Sequence, residues 1–129
     1  MGTASWILSC TARYVPTWAV GWLCATAALT HAGSTRPGSG SFRAEFADNA
    51  SLGVAFLLGT GTIALFVLVL LALCKKYGTT AGFRALAAGF LVVPLLPLAV
   101  PGGAPVGVAI LTHLAFATLI MPKPPLREP

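Results

Sequence analysis

The feature that most constrains this chain is the run Leu52 to Cys74, LGVAFLLGTGTIALFVLVLLALC, which carries no charged side chain and is followed at once by Lys75 and Lys76. At about 1.5 Å of rise per residue, such a run covers a hydrocarbon core of about 30 Å as a helix. The two lysines then anchor its end in the interface. Composition agrees. The chain of 129 residues is 57% hydrophobic and only 9% charged, against roughly 45–50% and about 25% in soluble domains. Eight basic and three acidic side chains cannot give a small protein the polar skin that its large surface-to-volume ratio demands. The expected fold class is all-α, a polytopic membrane protein built as a four-helix transmembrane bundle and forming a single membrane domain over residues 1–129.

A second apolar region, Ala85 to Met121, is too long for one span and is interrupted by Pro101-Gly102-Gly103-Ala104-Pro105. Two missing amide donors and two adjacent glycines predict a turn there. The region divides into helices over about 83–100 and 105–121, both near the short limit for spanning. A hairpin entering and leaving on one side is the alternative, and its backbone would need protein cover. Upstream, Tyr14 to Thr30 is uncharged and predicts a helix over about 14–30. Trp6 to Cys10, too short to span, is expected at the interface, where tryptophan is favoured. A cleaved signal peptide is the competing reading of residues 1–32, since Thr-His-Ala precedes Gly33. A single arginine is a poor n-region, and a retained helix is preferred. Residues 31–50, rich in Gly, Ser, Thr and charge, read as an exposed polar loop, with a turn at Pro37-Gly38 and Asp48 or Asn49 capping the next helix. The proline-rich tail from Pro122 is expected to be extended.

With four spans, Arg13, Lys75, Lys76, Arg84, Lys123 and Arg127 fall on one side and only Arg36 and Arg43 on the other, with Glu45 and Asp48. The positive-inside rule then places both termini in the cytoplasm. The net charge of +5 does not argue for nucleic acid, because the basic residues flank apolar runs instead of gathering on one face. Cys10, Cys24 and Cys74 form no CxxC pair or Cys/His ligand spacing and read as packing residues.

His113 is the one ionisable side chain placed well inside an expected span, and such groups are functional candidates by default. A proton relay, a metal or haem ligand and a partner contact are its sharp readings. The bland one is a neutral imidazole bonded to a carbonyl or threonine of a neighbouring helix, favoured because no carboxylate or second ligand accompanies it. Pro94, Pro97 and Pro101 predict a bent helix. Gly59-Thr60-Gly61 lacks the lysine of a phosphate loop. With Ala81, Ala85 and Gly89 at steps of four, Gly59 and Gly61 are candidate helix-packing positions. Glu45, Asp48 and Glu128 all lie outside the spans, which argues against proton-coupled export. The absence of a hydrolase triad or an acidic cluster for Mg²⁺ argues against an enzyme. No catalytic, cofactor or metal site is expected.

Arg13 before the first helix, the pair Lys75-Lys76, Phe83-Arg84 and Thr112-His113-Leu114 resemble a group of uncharacterised four-helix membrane proteins found mostly in actinobacteria. The resemblance implies the same topology and a bacterial inner membrane, and it assigns no activity. The expected role is a non-enzymatic accessory or structural component, packing against the lipid bilayer and either itself as a homo-oligomer or a larger membrane complex. The alternative is a small oligomeric transporter or channel with His113 near the pathway, and a haem- or metal-binding electron carrier is the third reading.

Overall fold

The computed structural model describes residues 2–34, 38 and 40–127, with only the backbone of Ser34 and Leu57. Arg36, Pro37 and Glu128 lie outside the described residues, and with them the Pro37-Gly38 turn. The protein is all-helical. Helix α1 runs Thr3–Ser34 and α2 Phe42–Cys74; α3, Thr80–Val92, passes through a 3₁₀ turn, Val93–Leu95, into α4, Leu96–Gly102; α5, Ala104–Ala115, ends in a π-helical turn, Phe116–Ile120. Two of these stretches, Phe42–Cys74 and the bent run Thr80–Gly102, are long and apolar enough to cross a membrane, and Ala104–Ile120 is shorter.

The N-terminal expectations need correction. Trp6 to Cys10 is not separate from the first helix but forms early turns of α1, which continues unbroken through Pro16. Proline at that position removes the amide donor that the carbonyl of Ala12 would accept, and, one residue on, Thr17 Oγ1 donates to the carbonyl of Arg13 at 2.7 Å. Trp6 is fully buried, meets Phe83 edge-on at 5.5 Å and donates its indole N–H to the carbonyl of Pro122. The polar segment 31–50 is likewise mostly helical. Helix α2 is capped by Ser41, whose hydroxyl accepts from the amide of Ala44, and not by Asp48 or Asn49. Asn49 sits inside the helix and donates to Thr30 Oγ1, tying α2 to α1. Small polar residues do not forbid a helix when a cap and such a cross-link are available.

The expected break in the second apolar region is present. It contracts to Gly103, whose φ of 62° and ψ of −144° are conformations that a side chain disfavours. The bend in the preceding helix falls at Val93–Leu95, where Pro94 removes a donor.

Burial follows a single rule. Along α1 the row Trp6, Cys10, Tyr14, Trp18 is buried, along α3 and its turn Phe83, Ala87, Leu91, Leu95, along α2 Ala64, Leu68, Ala72, and along α5 and beyond Ala109, His113, Ala117, Met121. Each row advances by four residues, the commonest ridge in helix packing. Helix α1 lies against both α2 and α5 and so organises the core. At one end, hereafter the basic end, Arg13 donates to the carbonyl of Ile120, and Arg84 to those of Thr118 and Met121. The two guanidinium groups thus satisfy carbonyls that the last helix leaves open. The tail is non-helical as expected. It forms a strap across the basic end, held by the Trp6–Pro122 bond and by Arg127 N–H donating to the carbonyl of Lys76 at 2.9 Å.

Candidate functional site

His113 projects from α5 into the core and is 2% exposed. Its Nδ1 lies 2.8 Å from the carbonyl oxygen of Ala109, one turn earlier. A carbonyl can only accept, so Nδ1 carries the proton and Nε2 of the neutral ring is the acceptor. Tyr14 Oη sits 2.9 Å from Nε2 and donates to it. Both ring nitrogens are therefore engaged within the bundle. Around them, Trp18 stands 5.0 Å from the imidazole, and Phe116 meets Tyr14 edge-on at 5.1 Å. This wall of aromatic rings comes from the four-residue row of α1, which brings Tyr14 and Trp18 to one level of α5.

The chemistry open to this arrangement is narrow. The described acids, Glu45 and Asp48, are at the far end of α2, and His31 is exposed in the last turn of α1. The 17 residues from Tyr14 to His31 correspond to about 26 Å along the axis, so the two histidines do not share a site. Among the described residues no group of three His, Cys, Asp or Glu side chains could hold a metal ion, and the three cysteines are free thiols. One face of the imidazole borders a cavity of about 210 Å³ between α2 and the Pro94 bend, lined by Thr60, Ile63, Leu98 and other apolar side chains. A second cavity, about 230 Å³, lies between Trp18, Trp22, Asn49, Phe56 and Pro105.

The candidate packing residues divide. Gly61 is buried, and a β-carbon there would rest 3.7 Å from Tyr14 and 3.8 Å from Trp18. Gly59 is exposed and a β-carbon on it would touch nothing; Ala81 and Ala85 are exposed, and half-buried Gly89 likewise faces open space. Ala85 and Gly89 line a shallow outer groove with Leu86, Phe90 and Val93. Two glycines outside that candidate set leave no room for a side chain. A β-carbon on Gly21 would collide with Thr112, and one on Gly53 with the Trp22 indole. The indole N–H groups of Trp18 and Trp22 are buried without a hydrogen-bond partner, pressed against α2 near these small positions. The signal that could have found Tyr14 and Trp18 was their shared spacing with Trp6, Cys10 and Trp22 in steps of four. No known protein family, curated protein or solved structure matches the chain.

Proposed function

We propose that the chain is an integral membrane protein, inserted as a four-helix bundle with both termini in the cytoplasm, that serves as a non-enzymatic structural or accessory component of a membrane assembly. The observation that carries insertion is the outward apolar surface of α2. Only 18% of its most apolar window is buried, while Leu52, Leu58, Ile63 and Phe66 are 62–74% exposed. A core helix of a soluble protein buries most of such a window, and apolar surface on this scale marks contact with lipid or another protein. A bacterial inner membrane follows from the family resemblance and belongs to the same proposal.

The accessory role is supported by how the polar groups are spent. His113, Tyr14, Asn49, Thr30, Arg13 and Arg84 each bond to another element of the bundle or its own backbone, as packing residues do. The outward row Ala81, Ala85, Gly89 offers a second protein a close approach. Tagged protein extracted in mild detergent should migrate as a homo-oligomer or with a stoichiometric membrane partner, identified by mass spectrometry. Migration as a lone monomer would defeat this reading.

The cavity between His113 and the Pro94 bend favours one second reading, a small oligomeric transporter or channel, since broken helices line the sites of many transporters. Flux through proteoliposomes that disappears in His113→Leu, with the fold retained, would establish it over the first.

A further inference from the structure

We infer that the pocket beneath the C-terminal strap, at the end of α2, binds the headgroup phosphate of an anionic phospholipid, an inference that rests on the membrane reading above. The pocket has a volume of about 300 Å³. Lys76 and Arg127 line it together with the hydroxyl-bearing Thr3 and Tyr77, and Ala72 and Leu73 form its opposite wall. The strap builds the site. The bond from Arg127 N–H to the carbonyl of Lys76 clamps the tail to the loop after α2 and puts two cationic side chains at one opening. An ammonium and a planar guanidinium together suit the oxygens of a phosphate ester, and the two hydroxyls add donors.

The electrostatic balance favours an anion. The pocket lies at the C-terminal end of α2, whose dipole contributes roughly half a negative charge. Two full positive charges outweigh it. The described acids Glu45 and Asp48 stand about 40 Å away along α2, several screening lengths at physiological salt, and neither pairs with Lys76 or Arg127.

The apolar wall selects a lipid over a soluble phosphate. Leu73 is 54% exposed and belongs to the outer face of α2 that carries the bilayer contact, so an acyl chain leaving the pocket continues along that helix. Headgroup and chain are thus met by one continuous surface, polar at the basic end and apolar below it.

Native mass spectrometry of the full chain, released from phosphatidylcholine nanodiscs doped with dioleoyl phosphatidylglycerol, tests the assignment. One phosphatidylglycerol per chain should be retained in preference to phosphatidylcholine. The double variant Lys76→Gln/Arg127→Gln should weaken retention about 25-fold, on roughly five-fold per basic side chain at an anionic interface. Lys75→Gln/Lys123→Gln, which removes the same charge outside the pocket, should leave it unchanged. Equal retention of both lipids, or equal losses in the two double variants, would overturn the site in favour of general surface charge. Glycerol 3-phosphate binding as tightly as the lipid would overturn the lipid and assign the pocket to a soluble phosphate ester. Alkaline carbonate extraction separates the premises: a chain that leaves the membrane fraction sinks the membrane reading, whereas a chain that stays there without lipid preference sinks only this site.

Discussion

Two residue-level contacts make the core specific rather than merely apolar. The bond between Tyr14 and His113 is the first. Tyr14→Phe keeps the ring packing against Phe116 but leaves Nε2 of His113 buried without a donor, at a cost of about 1–3 kcal/mol. A double-mutant cycle with His113→Phe should give a coupling of roughly 0.6 kcal/mol and no more than about 1.7, the range for hydrogen bonds between membrane helices. Zero coupling in detergent unfolding would show that the two groups do not meet. The second contact is the seating of Trp22 on Gly53. Gly53→Ala forces a β-carbon into the indole edge, and overpacking of this kind costs about 1–3 kcal/mol. Gly61→Ala meets only ordinary contacts and gains up to about 1 kcal/mol from helix propensity. Thermal unfolding should therefore move in opposite directions for the two variants, and equal destabilisation would refute the packing described.

At the scale of elements, the joint between α4 and α5 depends on Gly103. Its φ of 62° with ψ of −144° is nearly closed to residues with a β-carbon, so Gly103→Ala should destabilise by about 1–3 kcal/mol. Gly59→Ala, on an exposed helical surface, should be neutral or stabilising in the same unfolding assay. This joint was legible beforehand, because Pro-Gly-Gly-Ala-Pro leaves little else for the backbone to do. So were the two long apolar helical stretches, Phe42–Cys74 and Thr80–Gly102, which follow from length and absence of charge. The helix rotations were not. On α3 the row Ala81, Ala85, Gly89 reads as a packing surface either within the bundle or against another protein; the row buried in the bundle is Phe83, Ala87, Leu91, two positions round. A helix that is apolar on every side presents no contrast from which its inner face can be read, and α2 shows almost none. The polar segment 31–50 misled for the converse reason. Its composition resembles a loop, while Ser41 and the Asn49–Thr30 bond supply the cap and cross-link that make it helix. His113 stands out in the sequence as the ionisable group inside an apolar run, and its bond to the carbonyl of Ala109 is local to its own helix. Its partner Tyr14, 99 positions away, depends on which helices adjoin.

On the scale of the whole molecule, the proposed insertion and the asymmetry between the two ends together predict an orientation that can be measured. Arg13 and Arg84 are bound to the carbonyls at the end of α5, Lys76 and Arg127 line the pocket under the strap, and Lys123 is exposed beside them. Translocating this end would carry all those charges through the bilayer, each at about 2.5–3.5 kcal/mol on the insertion scale. The opposite end, where α1 and α2 join, has Arg43 among its described residues with Glu45 and Asp48 close by, so its transfer costs less. In right-side-out bacterial membranes, with Cys10, Cys24 and Cys74 replaced by alanine, an impermeant maleimide should label Gly40→Cys at once. Lys123→Cys should react only after the membrane is permeabilised. The reverse pattern would invert the topology, and labelling of both sites in intact membranes would show that the strap and the α1–α2 turn lie on one side. Under that outcome α2 could not be a complete crossing, and the lipid-facing reading of Leu52, Leu58, Ile63 and Phe66 would give way to burial against another protein.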